Sequence, residues 1–172
     1  MRLTGKKVAV LVDQGFEDLE YWVPVMRLQE EGAEVISVGP SLEPVFGKHG
    51  LEAQADAKAE DVDASDLDGM VVPGGWAPDY LRRYSEITNL VKDVYDQGKP
   101  VGLICHGGQV GISARIVEGA RATGTVAIKD DLENAGATWV DKAAFRDGNL
   151  IWGRVVPDIP DFCRELVAAL AE

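Results

Sequence analysis

Uninterrupted apolar blocks alternate along the chain with longer stretches in which apolar residues recur at helical spacing. The block Val-Ala-Val-Leu-Val from Lys7 to Val12 predicts a buried strand, followed by a turn at Asp13-Gln14-Gly15. Leu19, Trp22, Val23 and Met26 are spaced as one helical face, with Pro24 inside the run predicting a kink or a late start and Gly32 a C-terminal cap. Glu34 to Val38 predicts a second strand. Asp56 to Asp68, rich in Asp and Ala with little periodicity, reads as surface structure. Gly69 to Val72 predicts a third strand ending in Pro73-Gly74-Gly75, and Ile87, Leu90, Val91, Val94 and Tyr95 a helix ended by Gly98. Val101 to Ile104 is a fourth strand, and Val110, Ile112, Ala114 and Val117 suit the helix after it. Short strands at Ala137–Val140, Ala144–Arg146 and Asn149–Trp152, the latter two joined at Asp147-Gly148, precede a final helix marked by Cys163, Leu166, Val167 and Leu170. Strands alternating with helices argue for an α/β fold with a mostly parallel sheet covered on both faces.

The length of 172 residues suits one domain over 1–172, with no internal repeat or linker, and is enough for a core without disulfides. Hydrophobic residues at 46% and charged residues at 27% are ordinary for a globular protein. The net charge of −12 argues against nucleic-acid and anionic-membrane partners. No signal peptide and no apolar run of membrane-spanning length is visible, so reduced thiols in the cytoplasm are the expectation.

The chemistry concentrates where strands end, which is where parallel sheets bind ligands. The fourth strand stops at Cys105-His106-Gly107-Gly108. A strand feeding a helix through a tight turn holds the turn residue exposed and strained, so Cys105 reads as a nucleophile on an elbow, its thiolate favoured by the helix N-terminus. His106 is a candidate base or charge partner. Glu17, after the first strand, either complements a helix dipole or sets its carboxyl against the sulfur, where an ionised form raises the thiol pKa and a protonated form donates to a thiolate. Gly74 and Gly75 offer backbone N–H groups for an oxyanion, or simply make a tight turn. Cys163 falls on an apolar stripe and reads as core. His49, in Gly47-Lys48-His49-Gly50, belongs to a loop or hairpin, and Asp130-Asp131-Leu132-Glu133 to a helix start. Two separated histidines and no Cys-x-x-Cys predict no dedicated metal site.

These residues carry a resemblance. Gly15-Phe16-Glu17-Asp18-Leu19-Glu20, Gly47-Lys48-His49-Gly50, Pro73-Gly74-Gly75-Trp76-Ala77-Pro78-Asp79, Gly98-Lys99-Pro100, Ile104-Cys105-His106-Gly107 and Asp130 to Gly136, in this order, resemble the PfpI family of intracellular proteases and deglycases. That family lies in the glutamine-amidotransferase-like superfamily, which also holds the Parkinson-disease deglycase. The resemblance implies a flavodoxin-like α/β/α sandwich, no cofactor, Cys105 as nucleophile with Glu17 as the hydrogen-bonded acid beside it, and His106 as partner. Gly74, Gly75 and Gly107 line the oxyanion and substrate side. It also implies that Asp79, where relatives carry glutamate, reaches His106 across a subunit interface in a homodimer or a hexamer of dimers. Gly108 replaces a usual proline, Thr125 an aromatic hydroxyl, and Trp152-Gly153 a small-residue pair before Arg154.

Three activities fit these residues. The first is glyoxalase or deglycase chemistry on small reactive carbonyls such as methylglyoxal or its adducts on proteins, in stress protection. The second is a cysteine peptidase or amidase acting on peptides. The third is a non-catalytic oxidant sensor in which Cys105 forms sulfenic and sulfinic acids. A Cys105 thiol titrating well below the free value of about 8.5 is expected for each.

Overall fold

The computed structural model describes residues 1–172. The chain runs through β1 (Lys7–Leu11), α1 (Asp18–Glu30), β2 (Glu34–Gly39), the hairpin strands β3 (Val45–Phe46) and β4 (Glu52–Ala53), and β5 (Ala57–Lys58). It continues through β6 (Gly69–Val72), α2 (Ala77–Leu81), α3 (Ser85–Asp96), β7 (Val101–Ile104) and α4 (Gly108–Ser113). The remainder is β8 (Arg121–Ala122), α5 (Lys129–Asn134), β9 (Thr138–Trp139), β10 (Ala144–Asp147), β11 (Leu150–Gly153) and α6 (Ile159–Leu170).

Seven strands form one sheet in the order β10-β11-β7-β6-β1-β2-β5. Every pairing is parallel except the β10–β11 hairpin at one edge. Strands β6, β7 and β11 are buried at every position, as an apolar run covered on both faces must be. Helices α1 and α6 pack side by side, while α3 and α4 pack against each other and on β7. The result is a three-layer α/β/α sandwich of the flavodoxin-like kind, around a single cluster of 49 buried apolar residues.

Three local readings change. The spacing of Leu19, Val23 and Met26 marks a face of α1, but these side chains are exposed. The buried face carries Glu20, Tyr21, Pro24, Val25 and Leu28, and the helix is unbroken at Pro24. Tyr21 on that face anchors to Ser37 of β2 through a side-chain hydrogen bond. The Asp56–Asp68 segment contains β5, a short edge strand too brief to leave a periodic signal, besides two single-turn helices. The predicted strand near Ala137–Val140 forms a separate two-stranded piece with β8.

From β1 the chain adds β2 on one side, and β6 then β7 on the other, so the order reverses between β1 and β6. At such a switch point the loops leaving adjacent strands part and open a crevice. The segments leaving β1, β6 and β7 carry Glu17, Gly74-Gly75 and Cys105.

Candidate active site

Cys105 is the first residue of a single tight turn, Cys105–Gly107, between β7 and α4. Its φ of +57° lies in the left-handed region, one of two non-glycine residues in the chain to do so. A side chain held there costs roughly 1–3 kcal/mol, which the surrounding sheet and helix must offset. The strained backbone turns Sγ to within 3.4 Å of His106 Nδ1, so two sequence neighbours do face each other. Gly107 sits where any Cβ would collide with Val72 O at the end of β6. Its contribution is close backbone approach beneath the elbow.

The segments after β1 and β6 are laced together in front of the cysteine. Phe16 bridges Gly75. Glu17 N–H donates to Gly74 O at 3.0 Å, and Trp76 N–H donates to Gly15 O at 2.8 Å. Gly74 has no room for a side chain: a Cβ would lie 2.7 Å from Cys105 Cβ and would strike Glu20 Oε2. Gly75, at φ +81°, turns its own N–H toward the Cys105 sulfur, which His106 N–H also approaches.

The acid beside the sulfur is Glu20, and Glu17 has a different task. Glu17 Oε2 accepts from Leu19 N–H at 2.9 Å and Glu20 N–H at 3.0 Å, making Glu17 the N-cap of α1. Its other oxygen lies 3.6 Å from His49 Nε2. Asp18 accepts from His49 N–H at 2.9 Å and Leu51 N–H at 2.8 Å, which clamps the β3–β4 hairpin. Burial alone raises Asp18, but these two donors outweigh it and hold its carboxyl below the usual range. Glu20, one turn into the helix and 0% exposed, points inward under the elbow. Gly74 N–H donates to its Oε2 at 2.8 Å, so Gly74 is committed to the carboxyl and is not free for an oxyanion. Glu20 Oε1 is buried without a hydrogen-bond partner, and the carboxyl lies close enough to the Cys105 thiol for the two to influence each other's titration.

Glu20 and Cys105 therefore titrate as a pair. Burial, and then the negative charge of Glu17, push Glu20 up to about 7. Burial, and then the Glu20 carboxylate, push Cys105 up to about 12, against the pull of the His106 and Gly75 N–H groups. Two anions cannot share this site, so one proton stays in the pair from about pH 7 to about pH 12, and the expected low-pKa thiol requires that proton to sit on Glu20. Burial, and then the Lys48 ammonium, lower the pKa of His106 and keep its ring neutral.

Asp79 stands apart. It lies on α2, more than half exposed and ion-paired with Arg83, and makes no contact with His106 of its own chain. Thr125 N–H donates to Cys105 O at 3.3 Å, so this position supports the elbow from behind. Trp152 is fully buried there instead of filling an open pocket. A Cβ on residue 108 would lie 2.9 Å from Ile128 Cδ1 and 3.4 Å from Trp152 Cζ3, so Gly108 and the large Trp152 ring fit one space together. A cavity of about 560 Å³ lined by Gly124, Thr125, Trp139 and Arg154 lies beside the elbow, but Cys105 does not line it.

Sequence reasoning missed Glu20 and Asp18. The signal for Glu20 was present: Glu20, Tyr21, Pro24, Val25 and Leu28 recur at helical spacing as consistently as the exposed face. A carboxyl on a stripe otherwise free of polar residues is a buried carboxyl.

Known proteins share this sequence pattern and fold. The model of the DJ-1/PfpI family matches residues 6–169. A deglycase of Thermococcus kodakarensis is 40% identical over 164 residues, covering 95% of this chain and 99% of the relative. A crystal structure of a two-domain protein from Anabaena variabilis, with DJ-1/ThiJ/PfpI-like and ferritin-like domains, superposes with a TM-score of 0.94 at 41% identity. That match covers 96% of this chain and 48% of the larger protein. Drosophila melanogaster DJ-1beta superposes with a TM-score of 0.89 at 26% identity, covering 96% of this chain and 90% of the other. No helix is long and apolar enough to cross a membrane.

Proposed function

This chain belongs to the DJ-1/PfpI family, and we propose that it is a cofactor-independent enzyme acting on small 2-oxoaldehydes and their early adducts through Cys105. The observation that carries this reading is the buried Glu20 Oε1, which has no hydrogen-bond partner, on a carboxyl close enough to the Cys105 thiol that each shifts the other's titration. With the shared proton on Oε1, Oε2 still accepts from Gly74 N–H, while the His106 and Gly75 N–H groups face a sulfur anion. That protonation state satisfies every polar group of the pair and leaves a nucleophile in place.

The thiolate adds to the aldehyde carbon of methylglyoxal, and the new oxygen takes the Glu20 proton, giving a hemithioacetal. Neutral His106 removes the hydrogen on that carbon as a proton, and the C–H electron pair forms an enediolate. The imidazolium returns that proton to the neighbouring carbon while the hydroxyl proton goes back to Glu20, giving a lactoyl thioester, and water hydrolyses it to lactate and a proton with return of the thiolate. The net change is methylglyoxal plus water to lactate plus a proton, with no external oxidant or reductant. The peptidase alternative requires Asp79, exposed and ion-paired with Arg83 in its own chain, to reach His106 of a second copy.

The test is incubation of native protein and Cys105→Ala with methylglyoxal, following lactate by proton NMR. Lactate that forms only with native protein supports the proposal. Equal rates for the two proteins overturn it.

A further inference from the structure

We propose that Lys48 and Trp76 form an anion-recognition site at the mouth of the Cys105 crevice, so that the preferred carbonyl substrates carry a carboxylate beyond the reacting aldehyde. The substrate class rests on the reaction proposed above; the charge preference at the thiol does not.

In this chain of net charge −12, four of the eight lysines are paired with carboxylates. Lys7 pairs with Glu34 at 2.9 Å, Lys92 with Asp96 at 2.8 Å and Lys58 with Glu60 at 3.6 Å. Lys48 has no carboxylate within ion-pair distance. Its ammonium instead lies 5.6 Å from the centre of the ring of Trp76, a residue 61% exposed. A cation over an aromatic face keeps its charge available for a second partner.

The placement is fixed by the same frame that builds the site. Lys48 N–H donates to Phe16 O at 2.9 Å, and Phe16 bridges Gly75, whose N–H faces the sulfur. Asp18 holds the next residues of the hairpin through His49 N–H and Leu51 N–H. Trp76, following Gly75, sits so close over Gly15 that a Cβ there would lie 3.0 Å from its ring. The charge of Lys48 reaches both Glu20 and His106, the two groups flanking the nucleophile. An acidic protein repels anions generally; a free ammonium pinned at this rim offsets that repulsion where the chemistry occurs. A 2-oxoaldehyde with a terminal carboxylate would place its aldehyde at Sγ and its charge toward Lys48.

Alkylation of Cys105 by iodoacetate and by iodoacetamide, reagents of equal size and different charge, tests the site directly. Rates are read by mass spectrometry of the Cys105 peptide and divided to give an anion-to-neutral ratio, with free cysteine as reference. The ratio is expected to exceed that of free cysteine by about fivefold, the scale of one exposed ion pair. It should fall by a similar factor in Lys48→Met, return in Lys48→Arg, and fall as salt screens the contact. A native ratio no higher than that of free cysteine, or one unchanged in Lys48→Met, overturns the proposal. In turnover, the kcat/KM ratio of 4,5-dioxopentanoate to 2-oxopentanal should fall by the same factor in Lys48→Met, and an unchanged ratio overturns the substrate preference. If neither compound is turned over in a Cys105-dependent way, the reaction reading fails, while the alkylation ratio still decides the anion site.

Discussion

Cys105 and Cys163 are both pushed upward by burial, to about 12 and about 11, yet the two regions that hold them share nothing else. Cys163 sits in the regular backbone of α6, 3% exposed on its apolar face, with only Arg27 nearby to favour a negative charge. Cys105 sits on a strained backbone at a sheet edge, between a carboxyl, an imidazole and two backbone N–H groups. Burial by itself only silences a thiol. What separates the two is a partner in the same cavity that can hold the proton while the sulfur holds the charge.

The sharpest way to break the comparison is to remove each sulfur in turn. Cys105→Ala should lower turnover at least about a thousandfold, the scale of losing a nucleophile. Cys163→Ser should keep turnover per folded molecule and lose about 1–3 kcal/mol of stability, because a hydroxyl replaces an apolar group in the core. Urea denaturation with parallel assays separates the two effects. Equal loss of turnover in both variants would remove the distinction.

The next effect is on stability and follows from proton linkage. The folded Glu20–Cys105 pair keeps both of its protons to about pH 7, whereas an unfolded glutamate releases its proton near 4.5. The folded state therefore binds more protons between these values, so this contribution is complete below the lower one, falls as pH rises, and is gone above about 7. The shift corresponds to about 3 kcal/mol. Denaturation of native protein and Glu20→Gln from pH 4.5 to 8 should show Gln removing that decline, leaving the variant relatively more stable at pH 8. Parallel pH profiles would mean that Glu20 is not a buried, proton-holding group.

The location of the shared proton is a smaller but more specific matter. With the proton on Glu20, thiolate absorbance near 240 nm rises as the pair loses its first proton at about pH 7. With the proton on sulfur, the rise waits until about pH 12. The first outcome is expected. Glu20→Gln should then lower kcat/KM about a hundredfold, although it removes a charge repelling the thiolate, because the proton donor is lost.

Much of this site is legible in the chain, and the part that is not has a geometric cause. Strand ends and glycines announce the elbow, because Val101 to Ile104 is apolar without interruption and stops at Cys105-His106-Gly107. The convergence of Gly74, Gly75 and Cys105 follows from parallel topology. The role of each acid in Glu17-Asp18-Leu19-Glu20 does not follow, because these residues span one turn and differ only in azimuth around α1. The apolar face that sequence makes conspicuous, Leu19, Val23 and Met26, is the exposed one, so orienting the helix by hydrophobicity alone turns Glu20 away from the core. Pro24 and Tyr21 face the core and mark the true inward side. Val25 and Leu28 continue that side, so two apolar faces compete along α1 and the sequence does not rank them.

Glu17→Ala carries the smallest effect and sharpens the division among the acids. Glu17 Oε2 satisfies two of the unpaired N–H groups at the start of α1, those of Leu19 and Glu20. Its loss should cost about 1 kcal/mol, the usual value of an N-cap side chain, seen as a lower urea midpoint with unchanged slope. Because its negative charge also contributes to raising Glu20, removing it should move the onset of the pair's titration to lower pH. The thiolate absorbance step should follow in the same direction, without the large loss of turnover expected for Glu20→Gln. A loss of turnover equal to that of Glu20→Gln would instead place Glu17 among the reacting groups, returning to it the role that the fold assigns to its neighbour one turn along.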